Sequence, residues 1–334
     1  MIDVLIVGQG IAGTMLGFSC MEAGLSFMIL DDLKGSNASL AAAALVEPLS
    51  GKRWTLSHRA DEFIPTAKKR YQEIQRLLNC SFIHDYPTYR ILCDEDQKRF
   101  YEKRCQDPLF ASYLGSFHSQ LDSRIQSPLG SVAIRESFSL NSPLLLGKAR
   151  AFFLAGNLLR NERVNYKALS LYNTHVCYGD IRAKYVVFCQ GASLQNNPFF
   201  SFLDFRPSKG ETLTLSIPDL PPLGNLSFEK WLIPVAAGLF HYGSTYDWPP
   251  FHSDITSANK TLLLAHLDRY MSCPYTIVDQ RWGIRCNTQH PTPLCFQHPD
   301  EKRVFVLGAL GSKGFMSAPF LSHSLAKTLQ QRSF

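Results

Sequence analysis

No CxxC pair occurs among the nine cysteines, and an odd count cannot close into a complete set of disulfides. Reduced thiols are therefore expected, rather than a disulfide framework or a zinc site. No apolar run approaches the roughly 18 residues that a membrane span needs. Met1-Ile2-Asp3-Val4 lacks the basic stretch that opens a signal peptide. Charge of one sign is scarce too: 34 Lys and Arg stand against 28 Asp and Glu, a net of +6. That excess is too thin for a nucleic-acid binder by charge alone. His58, His84, His118, His241, His252 and His290 show no spacing that suits a metal, and no internal repeat is visible. These absences lead us to expect a soluble cytoplasmic protein with no membrane contact and no metal. What is present is material for a core. The 334 residues are 45% hydrophobic and 19% charged, enough for two intimately joined domains.

The first thirty residues carry the strongest pattern. Asp3 to Val7 is apolar and rich in β-branched residues, and it runs directly into Gly8-Gln9-Gly10-Ile11-Ala12-Gly13. A helical stretch follows to Ala23, Gly24 stops it, and Ser26 to Leu30 reads as a second buried strand that ends in Asp31. Strand, glycine turn, helix, strand and acid, in that order, form a dinucleotide-binding fingerprint. Gly8 permits the tight turn, Gly10 admits a pyrophosphate, and Gly13 lets the helix lie close to the strand. Ile11 and Ala12, between them, join the candidate cofactor contacts at a helix N-terminus whose free N–H groups and dipole suit phosphates. Asp31, or its neighbour Asp32, is the candidate ribose acceptor. The motif alone does not separate FAD from NAD.

Further along, residues 59–78 and 94–106 read as amphipathic helices of mixed charge, the signature of a solvated face. Ser81 to Cys93 and Gly130 to Ser139 read as strands, and Asn141 as the cap of a helix through Ala155. Small residues from Leu33 to Leu49, including Ser36, Asn37, Ser39, Ala43 and Ala44, suggest a helix start packed against something flat. Strand patterns recur at Tyr185 to Cys189, followed by Gly191, and at Val304 to Leu307, followed by Gly311 and a helix from Met316 to Leu329. Between them, β-rich stretches occupy Thr212 to Ser216, Trp231 to Val235 and Leu239 to Thr245. A nucleotide-binding domain interrupted by β-rich insertions is the expected consequence.

Four segments together resemble the D-amino acid oxidase family of FAD oxidoreductases, which includes glycine and sarcosine oxidases. They are the opening fingerprint; Ser39-Leu-Ala-Ala-Ala-Ala44-Leu45; Trp231-Leu-Ile-Pro234 with Tyr242-Gly-Ser-Thr245; and Trp282-Gly-Ile-Arg285 with Gly311-Ser-Lys-Gly314. The stretch Gly311 to Pro319 is especially similar to the oxidoreductase half of the bifunctional tRNA wobble-uridine modification enzyme. The resemblance implies a mixed α/β fold: a discontinuous Rossmann-like FAD domain of the two-dinucleotide-binding type with an inserted antiparallel β-rich substrate domain. Residues 1–80, 140–204 and 280–334 would form the first, and 81–139 and 205–279 the second.

The same resemblance implies non-covalent FAD and oxidation of the C–N bond of a small carboxylated amine or amino acid to an imine. Arg285 is then the carboxylate-binding residue, Lys313 a positive charge beside the reduced flavin, and Trp231 a wall of the substrate site. Ser39, Ala43, Ala44, Val164, Gly191, Gly311, Ser312, Lys313, Gly314 and Phe315 join the glycine turn as cofactor contacts. Arg53 is a second candidate cation. Three departures stand out: Ala44 where the family has glycine, Cys286 where a proline usually follows the arginine, and aspartate as the ribose-binding acid. Cys286 also lies near the covalent flavin cysteine of sarcosine oxidase, at a different spacing. Two alternatives follow, a tRNA-modifying oxidoreductase with tRNA as partner, and a flavin-binding protein without catalysis. The oligomeric state is left open.

Overall fold

The computed structural model describes residues 1–32, 38–252, 254–290 and 292–332. The opening strand Ile2–Val7 has Val4, Leu5, Ile6 and Val7 all buried, so both of its faces are covered, as in a parallel sheet. It pairs in parallel with Phe27–Leu30 on one side and Ile181–Phe188 on the other. Leu159–Arg160 extends the sheet beyond Phe27–Leu30, and Val304–Gly308 lies parallel to Ile181–Phe188. Strands from the beginning, middle and end of the chain thus build one parallel core. The helix Ile11–Glu22 covers it with ten consecutive buried residues, from Ile11 to Cys20. Helix Gly314–Gln331 packs against that helix, where Ser19 Oγ and Ser322 Oγ lie 3.2 Å apart.

A second, eight-stranded sheet lies apart from the first in hydrogen bonding. Its order is Thr276–Arg285, Ser208–Ser216, Leu239–Gly243, Lys230–Ala236, Asn225–Phe228, Thr88–Ile91, Ser131–Ile134 and Leu114–His118. All neighbours are antiparallel except Asn225–Phe228 and Thr88–Ile91. That parallel pair joins the two β-rich insertions into a single sheet. The expected boundary at residue 280 falls inside the strand Thr276–Arg285, which pairs with Ser208–Ser216 through Arg285. Helix Ser257–Leu267 closes one face, contributing Leu263 and Leu267 to a core with Leu213, Leu215, Phe228 and Tyr242.

Several local expectations need correction. Ser81 to Cys93 is not one strand: Ile83–His84 and Thr88–Ile91 belong to different sheets, with Pro87 between them. Proline has no N–H to continue a ladder, so the chain changes sheets there. Gly130 to Ser139 divides likewise into Ser131–Ile134 and Phe138–Leu140, with Glu136 at φ 53° between the two. The alanine-rich segment is helical only over Ala38–Ala41, and Leu33 to Asn37 lie outside the described residues. Ala44 has φ 49°, the left-handed region where a Cβ is penalised and glycine is favoured. The mixed-charge helices form as Ala60–Leu77 and Glu95–Cys105, and Asn141 Oδ1 accepts from Leu144 N at 3.0 Å, capping Ser142–Ala155.

Candidate cofactor and active site

The glycine turn is built by backbone contact. Gly8 has φ 102°, and a Cβ there would sit 2.5 Å from the Cys189 carbonyl oxygen. At Gly13 a Cβ would lie 1.8 Å from the Gly8 carbonyl oxygen, an overlap that no side chain tolerates. The turn therefore brings the N-terminus of Ile11–Glu22 against the strand end and opens it to a cavity of about 760 Å³. Cofactor and ligand sites span roughly 300–1,000 Å³, so the cavity has the size of such a site.

One cavity collects nearly all the residues singled out in the sequence. Gly8, Gly10, Ile11, Ala12, Asp31, Asp32, Ser39, Ala43, Ala44, Val164 and Gly191 line it. Trp231, Arg285, Cys286, Gly311, Ser312, Lys313, Gly314 and Phe315 line it as well. Gly13 does not, because it faces inward against Gly8. Arg53 is exposed and absent from the lining. Burial pushes the Cys286 thiol up to about 11, so at neutral pH it is a protonated thiol and a weak nucleophile.

Asp31 Oδ2 accepts from Gln9 N at 2.8 Å, which fixes the acid to the glycine turn. The buried Arg150 completes the arrangement. Its Nη1 donates to Gln9 Oε1 at 2.9 Å and Asp31 Oδ1 at 3.1 Å, and its Nη2 to the Asp31 carbonyl and Asn161 Oδ1, both at 3.1 Å. Arg150 carries no local signal, since it stands on an apolar helix 119 positions from Asp31. Arg150→Met should weaken FAD binding roughly tenfold, because charge-assisted hydrogen bonds are each worth about 1.5–3 kcal/mol and Asp31 would lose its orientation. Titration of the apoprotein with FAD, followed by flavin fluorescence, measures it.

Ser39 Oγ accepts from Ile11 N at 3.1 Å beside the glycine turn, and Lys313 Nζ donates to the Glu47 carbonyl at 3.2 Å. The Glu47 carboxylate lies 3.6 Å from Lys313 Nζ and 3.4 Å from Arg90 Nη2. Burial draws the Lys313 ammonium below its ordinary pKa, Glu47 opposing that shift and Arg90 adding to it. Glu47 was missed because a lone acid before a proline carries no pattern. Lys313 precedes the helix Gly314–Gln331, whose N-terminus lines the cavity.

Arg285 ends the strand Thr276–Arg285. Its Nη2 donates to Ser244 Oγ at 2.5 Å, and its Cζ lies 4.0 Å from the Tyr246 ring centroid. Its Nη1 is buried with no hydrogen-bond partner among the described residues. A buried, unpaired guanidinium nitrogen is costly; Arg285 also lines the cavity, and a positive charge on its wall suits an anionic ligand. Gly210 makes the space for it: a Cβ there would come within 2.4 Å of Nη2 and 2.6 Å of Nη1. Trp231, opposite Gly243 on the next strand, lines the same part of the cavity.

A parallel dinucleotide-type fold is joined to an antiparallel sheet, with one cavity lined by both the glycine turn and the half-buried Arg285, the architecture of a dinucleotide-dependent oxidoreductase. The family described as DAO, FAD dependent oxidoreductase, matches residues 3–328, and the chain belongs to it. Its cofactor is FAD, and the residues present fit that group: the turn has backbone where a Cβ would collide, and the cavity runs from Asp31 to Lys313. The fold is shared with glycine oxidase from Geobacillus kaustophilus at 18% identity and TM-score 0.82, covering 99% of this chain and 95% of that one. Iminodiacetate oxidase from Chelativorans sp. matches at 18% identity and TM-score 0.80, over 97% and 94% of the two chains. The L-amino acid deaminase of Proteus myxofaciens, in complex with anthranilate, matches at 14% identity and TM-score 0.80, over 99% and 90%. Among the described residues no helix is long and apolar enough to cross a membrane, and no group of three His, Cys, Asp or Glu is arranged for a metal.

Proposed function

We propose that this chain oxidises the C–N bond of a small carboxylated amine or amino acid to an imine. The observation that carries the reading is Arg285, a half-buried guanidinium that lines the cofactor cavity beside Ser244. FAD, when bound, supplies the two-electron sink for the oxidation. The chain's own work is positioning and electrostatics. Arg285 binds the carboxylate of the substrate, and a planar guanidinium fixes orientation as well as charge. Trp231 walls the site and limits the bulk that a substrate can carry. Lys313 and the N-terminus of Gly314–Gln331 favour negative charge on their side of the cavity.

Around Gly8 to Gly13, we assign the pyrophosphate to the glycine turn and the ribose to Asp31, with Val164, Gly191 and the alanines lining the remainder. The FAD is held without a covalent bond, which the protonated Cys286 thiol supports. The cavity lining mixes Glu162 and Glu229 with Arg163, Lys52 and Lys230, a balance suited to a zwitterion rather than to the polyanionic backbone of tRNA.

The test begins with the absorbance spectrum of the purified protein and continues with anaerobic mixing. Glycine, N-substituted glycines or other amino acids should bleach the oxidised flavin band, and the same amines without their carboxylate should not. A colourless protein that refuses added FAD overturns the reading, and so does equal bleaching by amines with and without the carboxylate.

A further inference from the structure

Three charged side chains from distant parts of the chain meet at the cofactor cavity, and the function proposed above uses one of them. Lys313 stands in the turn Gly311–Lys313 ahead of the last helix, Glu47 follows the short strand Leu45–Val46, and Arg90 lies on the strand Thr88–Ile91 of the antiparallel sheet. All three line the cavity. Glu47 joins the other two. Its carbonyl accepts from Lys313 Nζ at 3.2 Å, its Oε1 lies 3.6 Å from the same nitrogen, and its Oε2 lies 3.4 Å from Arg90 Nη2. One carboxylate thus stands between two cations, with a different oxygen turned to each.

An acid on an open loop would be screened by water and count for little. This one is held in place. Val46 and Leu49 on either side are fully buried, and Ser57 N donates to the Pro48 carbonyl at 2.8 Å. Arg90 is fixed independently: Nη2 donates to the Leu49 carbonyl at 2.8 Å, Nη1 to the Gly51 carbonyl at 3.3 Å, and Cζ lies 4.7 Å from the Trp54 ring centroid. The Arg90 side chain is 7% exposed and that of Glu47 14%, so their charges act with little solvent between them. Without the Glu47 carboxylate, Lys313 and Arg90 would lose the ion pairs that they make here. Of two cations left facing each other, the ammonium gives way, because an amine releases its proton and a guanidinium does not.

We propose that Glu47 is a positioning residue, the counter-charge that keeps the Lys313 ammonium charged and seated on the cavity, so that this site favours negative charge on the reduced flavin. The inference rests on Lys313 being the cation beside the flavin. Its direction follows from the groups that act on Lys313. Burial draws the ammonium below its ordinary pKa, the Glu47 carboxylate opposes that, and Arg90 adds to it. Removing the carboxylate leaves burial and Arg90 unopposed, so the positive charge of Lys313 is lost at a lower pH. Glu47 need not touch substrate or flavin to do this, since it acts through Lys313.

The experiment uses the FAD-loaded protein with sulfite as the probe. Sulfite bleaches oxidised flavin and leaves negative charge on the ring, so its affinity reads the positive charge nearby without any turnover. Affinity is measured across about pH 6–10 in the parent and in Glu47→Gln, with Lys313→Met as the reference that subtracts the titration of sulfite itself. Relative to that reference, affinity in the parent should fall as Lys313 loses its proton. Glu47→Gln should move this fall to lower pH by about 1–3 units, the usual effect of an opposite charge at this distance, while affinity at the acid end stays within about threefold of the parent. Glu47→Asp keeps the charge but further away, and should move the fall in the same direction by a smaller step, which decides the matter if the glutamine variant does not hold FAD. A fall that stays in place or moves to higher pH overturns the inference, and so does an equal loss of affinity at every pH, which would mark Glu47 as merely structural. If Lys313→Met binds sulfite as the parent does at every pH, the assignment of Lys313 to the flavin fails, and the role of Glu47 with it.

Discussion

Arg285→Ala should raise KM for a carboxylated amine about 100-fold while leaving FAD content as in the parent protein. Hydrogen bonds to a charged group contribute about 1.5–3 kcal/mol each, and every 1.4 kcal/mol is a factor of ten. A guanidinium that offers two donors to a carboxylate therefore accounts for two orders of magnitude. The loss should fall on KM and on kcat/KM, because an interaction made alike in the bound and transition states is uniform binding. Arg285→Lys should recover only a fraction, since an ammonium keeps the charge and loses the planar fork. The fold should tolerate the change. Arg285 Nη1 has no partner to abandon among the described residues, and Ser244 retains access to the cavity. Steady-state kinetics beside the flavin-to-protein absorbance ratio decide the matter: parallel loss of flavin and activity would mark Arg285 as structural.

Gly13→Ala should cost the protein its cofactor. The added methyl would stand 1.8 Å from the Gly8 carbonyl oxygen, and neither atom lies on a flexible side chain. The helix Ile11–Glu22 would have to move off the strand, opening the turn that presents its N-terminus to the cavity. Overpacking a well-packed core with extra side-chain atoms costs about 1–3 kcal/mol, and a collision between two backbone segments exceeds that. FAD affinity should fall at least ~100-fold, with a lower thermal midpoint for the apoprotein. Gly24→Ala is the matched control. Gly24 has φ 67° and no atom within 4 Å of its Cβ position, so that variant should lose about 1 kcal/mol of stability and keep its flavin. Comparable FAD loss in both variants would show that Gly13 has no special part in the turn.

The elements that could be read in advance are those whose signal is local. Val4 to Val7, the glycine turn and the apolar run at Val304 to Leu307 announce themselves because burial on both faces and tight turns restrict which residues can occupy them. Asn141 is similar, since a cap is satisfied within three residues. Elements whose form depends on distant partners carry no such local signal. Ser81 to Cys93 has the composition of one strand, but Pro87 divides it between two sheets. The alanine-rich segment has the composition of a helix, yet Ala44 takes a left-handed conformation that its side chain disfavours.

The sequence by itself determined the parallel core and the glycine turn, because each rests on a pattern spanning a few neighbouring positions, while Arg285, Lys313 and Trp231 were singled out by the resemblance to a family. Tertiary structure alone decided what those residues do to one another. Arg150 reaches Asp31 across 119 positions, Lys313 reaches Glu47 across 266, and Tyr246 reaches Ser312 across 66. Contacts of that kind leave no periodicity behind, since a hydrogen bond between distant residues depends on where two elements are packed and not on what lies beside either one in the chain. Arg285 is such a case: it lines the cavity, and the cavity exists once both sheets are in place.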